Sequence, residues 1–225
     1  MEAKRNAAEK AAAYVQDNMV VGLGTGSTAY WAIEQLGKRV GGGLHIRAVA
    51  TSVQSEEQAR KLGIPIVPFA EIDQIDITID GADEVDQQFN LIKGGGGALL
   101  REKIVAAASK QMIVIVDESK LVDELGTFPL PVEIVKFGFE MTMRKLADLG
   151  CELRLRMKGN DIYETDNGNY IADCDFGRIA DPEQLHQQIN LIPGVVDNGL
   201  FVRMTQHVIV GYKSGDTEEL RKKNT

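Results

Sequence analysis

Three clusters of glycines and polar residues in this 225-residue chain have the composition of sites that bind or transform an anionic compound. In the most unusual one, Lys93 is followed by four glycines, Gly94–Gly97, and then by the helix-forming run 98–103. Each ordered glycine costs roughly 0.5–1 kcal/mol, so four in succession indicate a backbone that approaches a ligand closely. Backbone N–H groups beside a lysine at a helix start can bind an oxyanion. The alternative is a flexible loop.

Glu102 lies in the helix predicted after these glycines, about a turn and a half from its start. A helix gives a carboxylate a rigid direction, and partial burial raises the pKa of a carboxyl group toward the pH at which a general base works. Glu102 is therefore the candidate base. The alternative is that Arg101 and Glu102 belong to an exposed helix face.

The second cluster, DGADEVD, follows a predicted strand that ends at Asp80. Gly81 permits a sharp turn, and Asp83 follows it. Ligand sites in open α/β sheets lie beyond the carboxyl ends of strands. Crowded carboxylates there can take separate acid and base roles or bind a divalent metal, whereas the simpler interpretation is a solvated acidic turn. Glu84 and Asp86 are predicted to be such surface residues.

The third cluster, GLGTGSTA, places a glycine-rich turn between a predicted strand and a predicted helix. Thr25, Ser27 and Thr28 add hydroxyl groups to the N–H groups of the helix start, which favours phosphate binding. The dinucleotide fingerprint is incomplete and the P-loop lysine is absent. The alternative is a structural turn. Lys120 also follows a predicted strand, and a solvated lysine is the alternative there.

The elements that must position these clusters alternate along the first half of the chain. Strand patterns at 19–24, 44–50, 75–80 and 111–117 alternate with helix patterns at 27–40, 52–63 and 98–110. This alternation predicts an α/β fold with a mostly parallel sheet covered on both faces.

The pattern changes after Pro129 and Pro131, which are interpreted as a linker or hinge. Helix, strands, helix and strand then follow, which predicts a small α+β domain at 128–203. The larger domain is predicted to comprise 1–127 and 204–225, with the charged segment 216–225 as a short helix.

Composition excludes several classes of protein. The 25 basic and 33 acidic residues give a net charge of −8, which argues against a general nucleic-acid or acidic-membrane binder. No run approaches the roughly 20 apolar residues of a membrane helix, and the first residues lack an apolar signal core. Cys151 and Cys174 form no C-x-x-C pair, so free thiols in the cytoplasm are expected, with a cross-strand disulfide as the alternative. The three histidines lack metal-ligand spacing and are expected to be surface or partly buried residues.

Together, the clusters suit proton transfer beside the carbonyl group of a phosphorylated sugar. The long motifs of the chain resemble those of the ribose-5-phosphate isomerase A family, in order and over essentially the whole sequence. They are GLGTGSTA, TSVQSEEQARKLGIP, DGADEVD, KGGGGALLREKI, DESKLVDELGTFPLPVEI, DNGN and IPGVVDNGLF.

The resemblance implies interconversion of ribose 5-phosphate and ribulose 5-phosphate, in the non-oxidative pentose phosphate pathway, without metal or organic cofactor. It implies that Glu102 is the base, that Asp80 assists ring opening, that Asp83 holds and polarises substrate hydroxyls, and that Lys93 stabilises the enediolate. The residues implied in substrate binding are Lys4, Thr25, Gly26, Ser27, Thr28, Gly81, Ala82, Gly94, Gly95, Gly96 and Lys120. The implied fold is a Rossmann-like domain with a smaller ferredoxin-like domain, assembled as a homodimer or homotetramer.

Three other functions compete with this interpretation. A non-catalytic sugar-phosphate sensor would use the phosphate turn without needing Glu102, Asp80 and Lys93. An acyl-CoA or amino-sugar-phosphate enzyme could share the architecture, but an aminosugar deaminase would be expected to carry a catalytic histidine in these motifs. A metal-dependent isomerase would be sensitive to chelators.

Overall fold

The computed structural model describes residues 1–222, and this part of the chain contains six α-helices and fifteen β-strands. The helices are α1 (Glu2–Ala12), α2 (Ala29–Gly41), α3 (Val53–Lys61), α4 (Leu99–Ala107), α5 (Phe139–Ala147) and α6 (Pro182–Asn190). The strands are β1 (Val20–Leu23), β2 (Arg47–Ala50), β3 (Ile77–Gly81), β4 (Glu84–Val85), β5 (Leu91–Ile92), β6 (Met112–Asp117), β7 (Leu130–Ile134), β8 (Glu152–Leu155), β9 (Met157–Lys158), β10 (Asp161–Ile162), β11 (Tyr170–Asp175), β12 (Val195–Asn198), β13 (Leu200–Phe201), β14 (His207–Gly211) and β15 (Thr217–Arg221). None of these helices has both the length and the apolar character that a bilayer crossing requires.

The chain divides into two compact units, and the division differs from the predicted one. The first unit contains Met1–Ala82, Arg101–Leu121 and the residues from Arg203 on, and the second contains Asp83–Leu100 and Val122–Val202. Residues 83–100 and 122–127, which the sequence assigns to the larger domain, lie in the second unit. The difference arises because β5 pairs with β4 on one side and with β13 on the other, and these strands do not join the parallel sheet.

The first unit is built on a six-stranded sheet in the order β15-β14-β6-β3-β1-β2. All neighbouring strands are parallel except β14 and β15. Strands β1 and β14 are buried along their whole length, as expected for a sheet covered on both faces. The prediction of an α/β fold with a mostly parallel sheet is confirmed.

Part of the segment 216–225, which is predicted from the sequence to be a short helix, forms a strand instead. Residues 217–221 form β15, which pairs with β14 through a tight turn closed by the Gly215 N–H bond to the Tyr212 carbonyl. Residues 223–225 of the predicted helix lie outside the described residues. The pairing with β14 supplies backbone hydrogen bonds that outweigh the weak helix preference of a short charged segment.

Glu219 of β15 is the centre of a polar network in the first unit. Its carboxylate accepts a hydrogen bond from the Tyr14 hydroxyl at 2.7 Å and lies 3.2 Å from both Lys10 Nζ and His207 Nε2. His207 is 2% exposed, so the prediction of a surface or partly buried histidine is wrong for this residue. The Tyr14 hydrogen bond, with contributions from Arg221 and Lys10, lowers the pKa of Glu219 to about 2.

Replacing Glu219 with glutamine is expected to lower the free energy of unfolding by about 1–2 kcal/mol at neutral pH, because a hydrogen bond to a charged group contributes roughly 1.5–3 kcal/mol and this carboxylate is partly exposed to screening by water. Because the folded-state pKa lies below the usual value of 4.5, the contribution is complete above about pH 4.5 and is lost as the pH falls toward 2. Urea unfolding of both proteins at pH 7 and pH 3 measures this. An equal difference at the two pH values would contradict the assignment.

The second unit contains a four-stranded antiparallel sheet in the order β12-β7-β11-β8, with chain order β7-α5-β8-β11-α6-β12. This is a ferredoxin-like arrangement, and it confirms the predicted small α+β domain fold. Pro131, interpreted from the sequence as part of a linker, lies inside the buried strand β7. Its carbonyl still accepts a hydrogen bond from Gly199 N, so the proline removes a donor without ending the strand. Cys151 and Cys174, also in this unit, are free thiols, as predicted.

Candidate active site

The glycine-rich turn after β1 is held against the end of β3 in the first unit. The backbone N–H of Thr25 donates to Asp80 Oδ1 at 3.0 Å, and the Thr25 hydroxyl lies 2.7 Å from that of Thr51. Gly26 has a φ of +105°, which favours glycine. Thr28 is the N-cap of α2 without a side-chain capping bond, so the turn presents a helix N-terminus and hydroxyl groups together.

Asp80 is fully buried at the carboxyl end of β3. Its Oδ1 accepts hydrogen bonds from the N–H groups of Thr25 and of Gly81, the latter at 2.7 Å. Two backbone donors fix the direction of the carboxylate. A Cβ atom at Gly81 would lie 4.0 Å from the Thr28 Cβ, so the acidic turn and the glycine-rich turn are neighbours.

Lys4 contacts the glycine-rich turn directly, and Lys120 lies in the same unit. Lys4 Nζ donates to Ser27 Oγ at 3.0 Å and lies 3.8 Å from Asp117 Oδ2. Lys120 lies in the 3₁₀ helix Glu118–Lys120, directly after β6.

The positive charges of Lys4 and Lys120 both affect the pKa of Asp117. Burial raises the pKa of Asp117, but hydrogen bonds from Ser119 oppose the effect. The charges of Lys4 and Lys120 also lower that pKa, which lies below its ordinary value. The structure therefore brings Lys4 to the residue before the N-cap of α2, where the helix dipole also favours an anion.

Replacing Gly24 with alanine is expected to lower kcat at least tenfold, because the new Cβ would lie 2.1 Å from Asp80 Oδ1 and 2.6 Å from Asp80 Cα. Overpacking of this kind also lowers the free energy of unfolding by about 1–3 kcal/mol. Gly41→Ala, in the same unit and with no atom within 4 Å of its new Cβ, is the matched control. Comparable kinetics in both variants would show that Asp80 does not need its present position.

The second unit holds the other acid of the DGAD motif. Asp83 Oδ2 accepts a hydrogen bond from Gly95 N at 2.7 Å, and the Asp83 N–H donates to the Ile92 carbonyl at 2.8 Å. A Cβ at Gly95 would lie 2.6 Å from Asp83 Oδ1. The second glycine of the loop is therefore required by the close approach of this carboxylate.

Lys93 is 2% exposed and directly precedes the glycine loop. Its backbone N–H donates to the Gly199 carbonyl at 2.9 Å, and its Nζ lies 5.4 Å from the centroid of the Phe201 ring. Gly94 and Gly97 have φ values of +102° and +81°, so the loop reverses through conformations that favour glycine.

Glu102 is 4% exposed and lies in the first turn of α4, closer to the helix start than the predicted turn and a half. The helix begins at Leu99, one residue later than the run of helix formers suggested, because the positive φ of Gly97 interrupts the helical backbone. A buried glutamate in the first turn is rigidly directed, and buried glutamates are rare without a partner or a function.

Glu84 and Asp86 were predicted to be solvated, and this prediction is wrong. Glu84 is 3% exposed and accepts hydrogen bonds from the N–H groups of Gly126 and Phe128 at 2.7 and 2.6 Å. Asp86 Oδ1 accepts from Asn90 N at 2.7 Å and closes its own turn. Both carboxylates accept hydrogen bonds from backbone N–H groups of the second unit. The sequence did not indicate this structural role, because the donors to Glu84 come from a distant segment.

Arg156 and Tyr163, which no sequence motif indicates, also contact the glycine loop through their side chains. Arg156 Nη1 donates to the Gly94 carbonyl at 2.7 Å, and a Cβ at Gly97 would lie 2.1 Å from Tyr163 Oη. Both residues follow β8 and are more than fifty positions away in the sequence. No local pattern could have identified them, since the contact is created by the pairing of β8 with β11.

A parallel sheet with a phosphate-type turn and a buried acid at strand carboxyl ends defines an α/β enzyme that acts on a small anionic compound. A profile of the family described as ribose 5-phosphate isomerase A (phosphoriboisomerase A) matches residues 47–215. Ribose-5-phosphate isomerase A of Bacillus thuringiensis subsp. konkukian is 56% identical over 219 residues, covering 97% of this chain and all of that protein. The chain belongs to the ribose 5-phosphate isomerase A family and is an isomerase.

Two solved structures share its fold. Ribose 5-phosphate isomerase from Plasmodium falciparum has a TM-score of 0.96 and 42% identity, with complete coverage of both chains. A D-ribose-5-phosphate isomerase in complex with phospho-erythronic acid has a TM-score of 0.95 and 41% identity over 98% of each chain.

Proposed function

We propose that this ribose 5-phosphate isomerase uses Glu102 as the base that moves a proton between C2 and C1 of the open-chain sugar, through a cis-enediolate. The observation that carries the proposal is the burial of Glu102 in the first turn of α4. A carboxylate held in one direction and shielded from water can remove a proton and return it to the neighbouring carbon. The position also matches the base of the family motif LREK.

The acids of the DGAD motif act before and during the proton transfer. Asp80, fixed by two backbone N–H groups, assists ring opening by exchanging a proton with the anomeric hydroxyl. Asp83 holds and polarises the substrate hydroxyls. Lys93 and the N–H groups of the glycine loop stabilise the charge that develops on the enediolate oxygen.

The phosphate group binds at the start of α2. Thr25, Gly26, Ser27 and Thr28 provide N–H and hydroxyl donors there. Lys4 and Lys120 supply the charge, which is supported by their shared effect on the pKa of Asp117. Gly81 and Ala82 complete the substrate-binding set beside this turn.

The reaction needs no metal or organic cofactor in this proposal, because Lys93 and the loop N–H groups supply the electrophilic stabilisation. The protein is further proposed to act in the cytoplasm as a homodimer or homotetramer, in the pentose phosphate pathway. These points rest on the family resemblance, and light scattering of the purified protein tests the assembly.

The proposal is tested by incubating chelator-treated protein with ribose 5-phosphate in D₂O and following the reaction by proton NMR. Ribulose 5-phosphate carrying solvent deuterium at C1 is expected, and its formation should be lost in Glu102→Gln. Turnover that disappears with chelation and returns with a divalent metal would contradict the cofactor-free mechanism. Binding of ribose 5-phosphate without turnover would instead indicate a sensor.

A further inference from the structure

We propose that Arg156 is a positioning residue for the isomerase reaction, whose guanidinium group fixes the direction of the backbone N–H groups in the Gly94–Gly97 loop. The inference rests on the proposed function, because it assumes that this loop stabilises the enediolate. All the contacts that carry it lie within the second unit.

The guanidinium group of Arg156 is fixed by Asp173 and in turn donates hydrogen bonds to carbonyl groups of the glycine loop. Arg156 Nε donates to Asp173 Oδ2 at 2.9 Å, and Nη2 donates to Asp173 Oδ1, which makes a two-point ion pair. Nη1 donates to the carbonyl of Gly94 at 2.7 Å and to that of Gly95 at 3.3 Å. Asp173 lies in the centre of β11, so a rigid strand determines where the planar fork points.

Because each peptide group is planar, a contact that fixes a carbonyl group also fixes the direction of the N–H group that follows it. In a trans peptide the carbonyl and the following N–H point to opposite sides. The Gly94 carbonyl faces Arg156, so Gly95 N–H points away and donates to Asp83 Oδ2 at 2.7 Å. By the same geometry, the Gly95 carbonyl directs Gly96 N–H away from Arg156. Gly96 N–H is therefore the donor that the structure assigns to the enediolate oxygen.

The loop needs such a contact because it has no side chains of its own to pack. Glycine loses more backbone freedom on ordering than any other residue, and an oxyanion donor is effective only when its direction is set before the charge develops. The turn is closed by the Gly97 N–H bond to the Gly94 carbonyl at 2.9 Å, but Gly95 and Gly96 are exposed. Arg156 fixes the orientation of the Gly94–Gly95 and Gly95–Gly96 peptide groups, which the turn hydrogen bond alone does not fix.

A purely structural role would be an ion pair that joins β11 to the segment after β8. Arg156 side-chain exposure is 14%, and its Cζ lies 5.9 Å from the centroid of the Tyr163 ring, so a contribution to packing is also present. The two roles differ in what a substitution changes. Loss of packing lowers stability, whereas loss of the loop direction weakens binding of the enediolate more than binding of the substrate.

The test compares Arg156→Lys and Arg156→Met with the wild-type enzyme. Lysine keeps the charge opposite Asp173 but cannot contact that carboxylate and two carbonyl groups with one planar fork. For both variants kcat is expected to fall about 10–100-fold while KM for ribose 5-phosphate changes less than about threefold. Arg154→Met, an exposed position on the preceding strand, is the matched control and should retain wild-type kinetics.

Binding of phospho-erythronic acid, the ligand of one related structure, gives a readout that packing alone would not change. Its planar carboxylate carries a negative charge as the enediolate does, so its dissociation constant should rise in the variants by a factor similar to the fall in kcat/KM. Added guanidinium ion should partly restore kcat in Arg156→Ala.

Four outcomes decide between the interpretations. A folded Arg156→Lys enzyme with kcat within twofold of wild type would overturn the inference. So would a lower kcat with unchanged affinity for phospho-erythronic acid. If Arg156→Met unfolds, Arg156→Lys, which keeps the charge pair with Asp173, decides alone. A wild-type protein without isomerase activity would refute the proposed function instead, whatever the variants do.

Discussion

Replacement of Glu102 with glutamine is expected to lower kcat for ribose 5-phosphate by about 10²–10⁴-fold, the contribution of a positioned general base. Glutamine has the size of glutamate and fits the same buried position in α4, but it cannot accept a proton from carbon. The KM should change only a few-fold, because the base contributes chiefly in the transition state. Initial rates of ribulose 5-phosphate formation measure both constants.

Glu140→Gln is a close control for this substitution. Glu140 also lies in the first turn of a helix, α5, but it is exposed. Its replacement should leave kcat within twofold of wild type, which separates the loss of a base from the loss of a helix-dipole interaction. Near-full activity of Glu102→Gln would refute the assignment of the base.

Replacement of Lys93 with methionine is expected to lower kcat by about 10²–10³-fold, the effect of removing one donor to a developing oxyanion. Methionine approximates the length of lysine and can fill the space against Phe201, so the substitution removes the charge and leaves little cavity. Steady-state kinetics should show the loss in kcat, and the dissociation constant of phospho-erythronic acid should rise with it.

Lys158→Met provides the control for this variant. Lys158 is an exposed lysine on β9 in the same unit, and its replacement makes the same change in net charge. A loss of activity in both variants would point to long-range electrostatics. Retention of activity in Lys93→Met alone would show that the loop N–H groups suffice to stabilise the enediolate.

The interpretation of Pro129 and Pro131 as a linker shows how a local signal failed, because both residues lie inside the second unit. Prolines usually mark loops because they lack a backbone N–H. A strand can still contain a proline at a position where no neighbouring strand accepts a hydrogen bond from that N–H. Between β12 and β11, β7 accommodates Pro131 and buries all five of its residues. The apolar alternation of this strand was present in the sequence. The pairing of strands decides which backbone N–H groups must donate to a neighbour. Pairing between distant segments leaves no local pattern in the sequence.

Glu84 and Asp86 illustrate the same point for the site. Four acids within seven residues suggest a solvated turn, and the residue pattern led to the wrong prediction that Glu84 and Asp86 are surface residues. In the structure each of the four accepts backbone N–H bonds, from donors that include Gly126 for Glu84 and Asn90 for Asp86. Their roles depend on which backbone donors other segments bring to them.

The sequence by itself determined the parallel sheet, the glycine-rich turn at a helix start, and the candidates Lys93 and Glu102. These features depend on apolar periodicity, on glycine conformation and on residue type, all of which act over a few neighbouring positions. Only the tertiary structure decided that Lys4 reaches both Ser27 and Asp117, that residues 217–221 form β15, and that Arg156 holds the glycine loop. Those contacts join segments up to about a hundred residues apart, and their free energy comes from strand pairing and burial, which no local pattern encodes.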